Sequence, residues 1–154
     1  MKVAILALVL WGLTLGAAAY FFLYGTTRGS ADRRRAVVLT ADEKGMVLAE
    51  MRHILEAVHG VLTGVSAGDL PEVARSARSA GMQMEASGPP ELLAKLPLDF
   101  KTLGLGLHRD FDKLADDVQA GLPKEEVITR LSGITSKCVA CHATYRIATG
   151  RGDG

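Results

Sequence analysis

Aromatic side chains are scarce in this chain, at 5% of 154 residues, although hydrophobic residues as a whole reach 48% and suffice for a core. An excess of charge of either sign is also missing, since 18 Lys and Arg stand against 17 Asp and Glu. A general nucleic-acid binder would carry a strong basic excess or stripe, so that class is set aside. Alternating strand patterns are hard to find, Ala, Leu and Val dominate, and the composition leans helical. No Ser/His/Asp arrangement, phosphate-cradling loop or pair of inward carboxylates is visible, which argues against an enzyme. Asp110, Asp112, Asp116 and Asp117 read as the solvated side of a helix. The length allows one domain with an appendage.

There are only two cysteines, and both fall in one run, Cys138-Val139-Ala140-Cys141-His142. A C-x-x-C-H run is the attachment pattern of c-type haem. Each sulfur can form a thioether to one vinyl group, and the adjoining histidine offers an imidazole nitrogen to the iron. Other chemistries use parts of the same pattern. A thioredoxin-like C-x-x-C pair sits beside a βαβ pattern, and none is found here. A structural zinc site wants four N or S ligands, and His53, His59 and His108 form no second paired motif. A disulfide or a chance match completes the alternatives, and haem c is the expected cofactor.

The N-terminus carries a different message. From Val3 to Tyr24 there are 22 residues without a charge. As a helix this run spans roughly 33 Å, enough to cross a bilayer core. Ala17-Ala18-Ala19 resembles a signal-peptidase site, but the apolar run continues through Tyr20-Phe21-Phe22-Leu23-Tyr24. Residues 1–24 are therefore expected to be an uncleaved transmembrane anchor, with a cleaved signal peptide as the alternative. Arg28, Arg33, Arg34 and Arg35 follow the run while Lys2 alone precedes it, and the positive-inside rule would keep the far side cytoplasmic. Covalent haem attachment of the bacterial kind takes place outside the cytoplasmic membrane, and large domains translocate regardless of flanking charge. The expected location is thus the periplasmic side of a bacterial inner membrane, or the soluble periplasm after cleavage.

Residues 25–39 read as a polar tether whose arginines meet anionic headgroups. Thr40-Ala41-Asp42-Glu43 fits a capping box, and helical spacing follows from Val47 to Val65. Asp69 and Pro71 open a second helix, whose stripe runs through Leu70, Val73, Ala77, Ala80 and Met84. Ser87-Gly88-Pro89-Pro90 interrupts, and Glu91 to Lys95 forms a short helical turn. A third helix runs from about Pro97 to Ala120, ended by Gly121. A fourth begins near Pro123 and continues to about Ala148, leaving Gly150 onwards as a frayed tail. Four amphipathic helices with short connections predict an all-α, antiparallel four-helix bundle over residues 40–150.

Helical phase places the motif within that arrangement. At about 100° per residue, Val127, Leu131, Ile134 and Tyr145 share the face of Cys138, with Cys141 and His142 on either flank. A second axial ligand would come from another helix, and the sulfur and nitrogen candidates are Met46, Met51, His53, His59, Met82, Met84 and His108. Met51 lies at the centre of its apolar stripe, whereas Met46 and His53 lie on the far side and His59 well off centre. His108 reads as a boundary histidine making a local hydrogen bond. A methionine on an apolar stripe is often plain core. Met51 is nonetheless the favoured distal ligand to iron, with His142 proximal.

With these residues in place, the chain resembles the class II cytochromes c, the cytochrome c′ proteins and their six-coordinate relatives. The resemblance covers about residues 40–148 and rests on the late position of C-x-x-C-H, followed by Tyr145-Arg146. It implies that the first bundle helix supplies the residue facing the iron, a methionine in six-coordinate members, and Met51 matches that position. It further implies that Arg52 pairs with a haem propionate and that Arg146 is the family's basic residue after the motif. A membrane anchor departs from the usual soluble member. The function implied is electron transfer between membrane-associated redox proteins, with NO or CO binding by a five-coordinate haem as the alternative. Such bundles often pair through their first two helices, so a homodimer is a further option.

Overall fold

The computed structural model describes residues 2–85 and 89–150, and these are mostly helical. Helix α1 (Lys2–Tyr24) is 23 residues long and buries none of them, and by length and composition it could cross a membrane. Strands β1 (Thr27–Gly29) and β2 (Arg35–Leu39) follow as an antiparallel hairpin. Helix α2 (Ala41–Ala67) opens with a true capping box, in which the Thr40 hydroxyl accepts from the Glu43 amide and Glu43 accepts from the Thr40 amide. It ends at Gly68, whose φ of 71° is the left-handed conformation that glycine supplies without steric cost. Asp69 then caps α3 (Leu70–Ser79) through the Glu72 amide at 2.9 Å.

The second helix stops earlier than its apolar stripe suggested. A Cβ at Gly81 would stand 2.6 Å from the Asp112 carboxyl carbon, and Asp112 Oδ2 accepts from the Met82 amide at 2.9 Å. The chain therefore turns at Ala80-Gly81 and resumes as the one-turn α4 (Met82–Glu85). Of the expected interruption, Ser87 and Gly88 lie outside the described residues, as do residues 151–154 of the tail. Helix α5 (Pro90–Lys95) is short, and α6 (Leu98–Gln119) and α7 (Lys124–Thr144) follow.

Helices α2 and α3, α3 and α6, α6 and α7, and α2 and α7 touch one another in turn. Small residues allow the closest approach, as where Gly60 and Gly64 of α2 meet Ser76 and Val73 of α3. The acids of α6 do more than face solvent. Asp112 and Asp116 both hold Arg78 of α3, Asp110 holds Lys137 of α7, and Asp117 holds Arg130 of α7. These two hydrogen-bonded carboxylates raise the pKa of the Arg78 guanidinium, Asp116 most strongly.

The stretch read as a tether is part of the domain. Strand β3 (Tyr145–Thr149) lies parallel to β2, with Arg35 opposite Tyr145 and Leu39 opposite Thr149. Arg33, at φ 66°, turns the hairpin, and the last helix ends at Thr144 instead of near Ala148. Thr144, Tyr145, Ile147 and Thr149 are β-branched or aromatic, types that suit a pleated, half-buried surface. Two apolar clusters result. One fills the space among α2, α3, α6 and α7 around Phe111, Leu114 and Val61. The other packs β2 and β3 against α5 and the start of α2, around Val37, Leu39, Val47, Leu92, Leu96 and Tyr145.

Candidate cofactor crevice

The two clusters meet at a seam, and the motif lies on it. Met51 packs against both, Cys138 against the first and Cys141 against the second. A cavity of about 60 Å³ at this seam is lined by Met51, Ile54, Phe100, Leu103, Leu107, Cys138, Cys141 and His142, among others. Beside it lies a cavity of about 270 Å³, walled by Met51, Leu48, Phe100, Cys141, His142 and Tyr145, with Arg34, Lys44 and Arg146 on its rim. The Phe100 and Tyr145 rings, 5.3 Å apart and edge to face, close its floor.

Helical geometry explains why α7 presents the motif here. Arg130 and Lys137 reach α6 and occupy one flank of α7, so Ile128, Thr135 and His142 occupy the opposite one, toward α2. On α2, Gly60 and Gly64 face α3, so Leu48, Leu55 and Leu62 lie on the flank toward α7. On these flanks Leu55 is 67% exposed and Ile128 43% exposed. Imidazole and thioether thus converge on one crevice from two helices. Both cysteines are free and half-buried, and burial pushes both thiols up from their ordinary pKa.

The remaining candidates go elsewhere. Met46 is 50% exposed, His53 pairs with Glu56 at 3.7 Å, and His59 is exposed. His108 is not a boundary residue with a local bond. It is 1% exposed, with Nδ1 2.7 Å from the Ala80 carbonyl and Nε2 3.0 Å from Glu50 Oε1, so it ties α6 to α2 and to the end of α3. Met84 packs on the first cluster, and Met82 is half-buried. Arg52 is exposed and lies outside the lining of the crevice, whereas Arg146 is on its rim.

Arg34, Lys44 and Lys137 are contributors that the sequence reading missed. Arg34 Nη1 donates to the His142 carbonyl at 3.2 Å, and its other nitrogens are held by Asp32 at 2.7 and 2.8 Å. Hydrogen bonds from Ser30 and Arg34 hold the Asp32 carboxyl far below the usual range. Lys137 Nζ donates to the Gly106 carbonyl at 3.0 Å. No local pattern marks these residues, because their partners are up to 111 positions away.

The donor set decides what the crevice can hold. The two seam cavities have an apolar body, with Arg34, Lys44, Lys137 and Arg146 in their lining and no acidic side chain, although Arg34 is paired with Asp32 and Lys137 with Asp110 just outside it. That suits a flat apolar group bearing carboxylates, and two thiols, an imidazole and a thioether are the functional groups that would bind haem c. Among the described residues no group of three or more His, Cys, Asp or Glu is arranged to hold a metal ion. Comparison with protein-family models, with curated proteins and with solved structures gave no match.

Proposed function

We propose that this chain is a membrane-anchored c-type cytochrome that carries electrons, built on an antiparallel four-helix bundle of α2, α3, α6 and α7. The observation that carries the reading is the convergence of Cys138, Cys141, His142 and Met51 on one apolar crevice among α2, α6 and α7. Haem c, when bound, supplies an iron that alternates between two oxidation states. Cys138 and Cys141 would hold it through two thioethers, and His142 and Met51 would ligate its iron. The chain's own part is positional. Arg34 and the β2–β3 pairing hold the end of α7 that carries His142, and Met51 is fixed within a long capped helix. Ligands on rigid elements move little when a charge is added or removed, which favours electron transfer. Arg146, in the lining of the crevice, would balance a carboxylate at the crevice mouth and draw in acidic partner surfaces. Residues 2–24 would anchor the chain in the inner membrane, with the domain on the periplasmic side.

The test is an absorption spectrum of the full chain, produced with haem-maturation machinery, with and without CO. A low-spin spectrum indifferent to CO is expected, and Met51→Ala is expected to convert it to a high-spin form that binds CO. A wild-type spectrum that is already high-spin and responsive to CO would move the assignment to gas binding. Absence of covalent haem, with maturation confirmed on a control protein, would overturn both.

A further inference from the structure

The crevice and the end of α1 share one short stretch of α6. Phe100 walls the crevice, and its neighbour Lys101 places its ammonium 4.6 Å from the centre of the Phe22 ring in α1. Three residues before Phe100, the Pro97 nitrogen lies 2.6 Å from where a Cβ on Gly25 would stand. Gly25 is buried at φ 60°, its amide donates to the Phe21 carbonyl at 2.8 Å, and the Thr26 amide donates to the Lys95 carbonyl at 2.7 Å. No free linker separates the apolar helix from the domain. Hairpin β1–β2 begins two residues later and is itself paired to β3, immediately behind His142 and the last turn of α7. The starts of α2 and α6 and the end of α7 therefore all gather at the junction, as the Lys95–Glu43 ion pair at 2.6 Å also shows for α2.

We propose that the crevice end of the domain is docked in a fixed orientation on the phospholipid headgroup layer, through α5 and the first turn of α6. Electron exchange then takes place at membrane level, not at the end of a swinging tether. The docking rests on the anchored reading of α1 given above, and only its consequence for electron exchange rests on the haem. A 23-residue helix is about 34 Å long against a hydrocarbon core of about 30 Å, so its last turn stands among the headgroups. Tyr20 and Tyr24, with rings 5.0 Å apart, suit that interfacial position, and Lys101 over Phe22 carries its charge to the same level. Whatever packs on this turn stands at that depth too. The outer residues of α5 and early α6 are mixed, with Leu93 36% exposed, Lys101 half-buried and Glu91 and Asp99 exposed. Over residues 91–102 the acids Glu91 and Asp99 stand against the bases Lys95 and Lys101, so the face has no basic excess, fits phospholipid in general and does not select anionic lipid.

The unaltered full chain in nanodiscs containing a phospholipid with a photoreactive headgroup tests this directly. Mapped by mass spectrometry, cross-links are expected on residues 91–102 as well as on the last turn of α1. They are expected to be lost from the α6–α7 connection around Gln119, which stands at the far end of a 22-residue helix, about 30 Å away. Cross-links confined to α1, or spread equally to Gln119, would overturn the docking. The mass of the purified chain separates the two readings. A chain lacking α1 would refute the anchor itself, whereas an intact, membrane-retained chain without cross-links at 91–102 would refute the docking alone.

Discussion

Replacing His108 with Leu is expected to destabilise the domain although the new side chain is apolar and of similar bulk. His108 is 1% exposed and links the Ala80 carbonyl to the Glu50 carboxylate. The Ala80 carbonyl at 2.7 Å only accepts, so Nδ1 carries a proton, and Nε2 then faces the Glu50 carboxylate at 3.0 Å. Leucine would leave the Ala80 carbonyl unpaired at a residue that is fully buried, a cost of about 1–3 kcal/mol. Glu50, 28% exposed at its side chain, can recruit water and loses little more than the net bond. Together the loss is about 2–4 kcal/mol, which for a chain of this size lowers Tm by roughly 5–15 °C. Thermal unfolding of the full chain in detergent, followed by circular dichroism, measures it. Glu50→Gln provides the contrast, because an amide N–H can donate to Nε2 of a neutral imidazole, and its loss should stay under about 1 kcal/mol. A His108→Leu protein within about 0.5 kcal/mol of wild type, the range of an ordinary surface substitution, would refute the reasoning.

Three further outcomes follow from single positions. Gly25→Ala should cost at least about 1–2 kcal/mol, because a Cβ there meets the Lys95 and Pro97 backbone and φ is 60°. Gly29→Ala, where nothing lies within 4 Å, serves as its control in the same melt. Hydrogen bonds from Lys95 and then from the Thr40 amide hold the Glu43 carboxyl below its usual range. Its folded pKa lies below the unfolded one, so its contribution is present at neutral pH and lost as the pH falls below about 4.5. Glu43→Gln should therefore flatten the fall of Tm on acidification, and an unchanged slope would contradict the assignment. In chain produced without haem attachment, burial keeps Cys138 and Cys141 protonated at neutral pH, so alkylation should be slow and accelerate only in alkali. Free-cysteine rates at pH 7 would show that the crevice is not packed as described.

What was legible in the sequence is local. The capping box at Thr40, the Asp69 cap, the Gly121 stop and the apolar stripes all act within a few residues of themselves, and the helices they mark are present. The motif announced its cysteines and histidine by spacing alone, and the phase of α2 was enough to turn Met51 toward them. The sheet was not legible. Arg35–Leu39 pairs with Tyr145–Thr149 across 110 positions, in parallel, and no hairpin pattern can signal such a pairing. Arg35 and Arg34 looked like the polar end of a tether because nothing nearby reveals that one lies over the Tyr145 ring and the other bonds to the His142 carbonyl. His108 was misplaced for the same reason: its partners, Ala80 and Glu50, are 28 and 58 positions away.

The sheet changes what the apolar N-terminus means for the domain. A helix joined through a polar tether would set only the local concentration of the crevice near a membrane, with every orientation open. Here the chain leaves α1 at Gly25, enters the hairpin at Thr27 and is paired to the segment that follows His142, so the same fifteen residues that read as a loose tether join the apolar helix firmly to the domain. Phe100 and Lys101 complete the argument from the opposite side, because adjacent positions on α6 serve crevice and apolar helix in turn. Lengthening the junction should consequently disturb the crevice as well as the tether. Four Gly-Ser residues inserted after Gly25 are expected to shift the haem spectrum or weaken haem retention, while a freely hung domain would leave both unchanged.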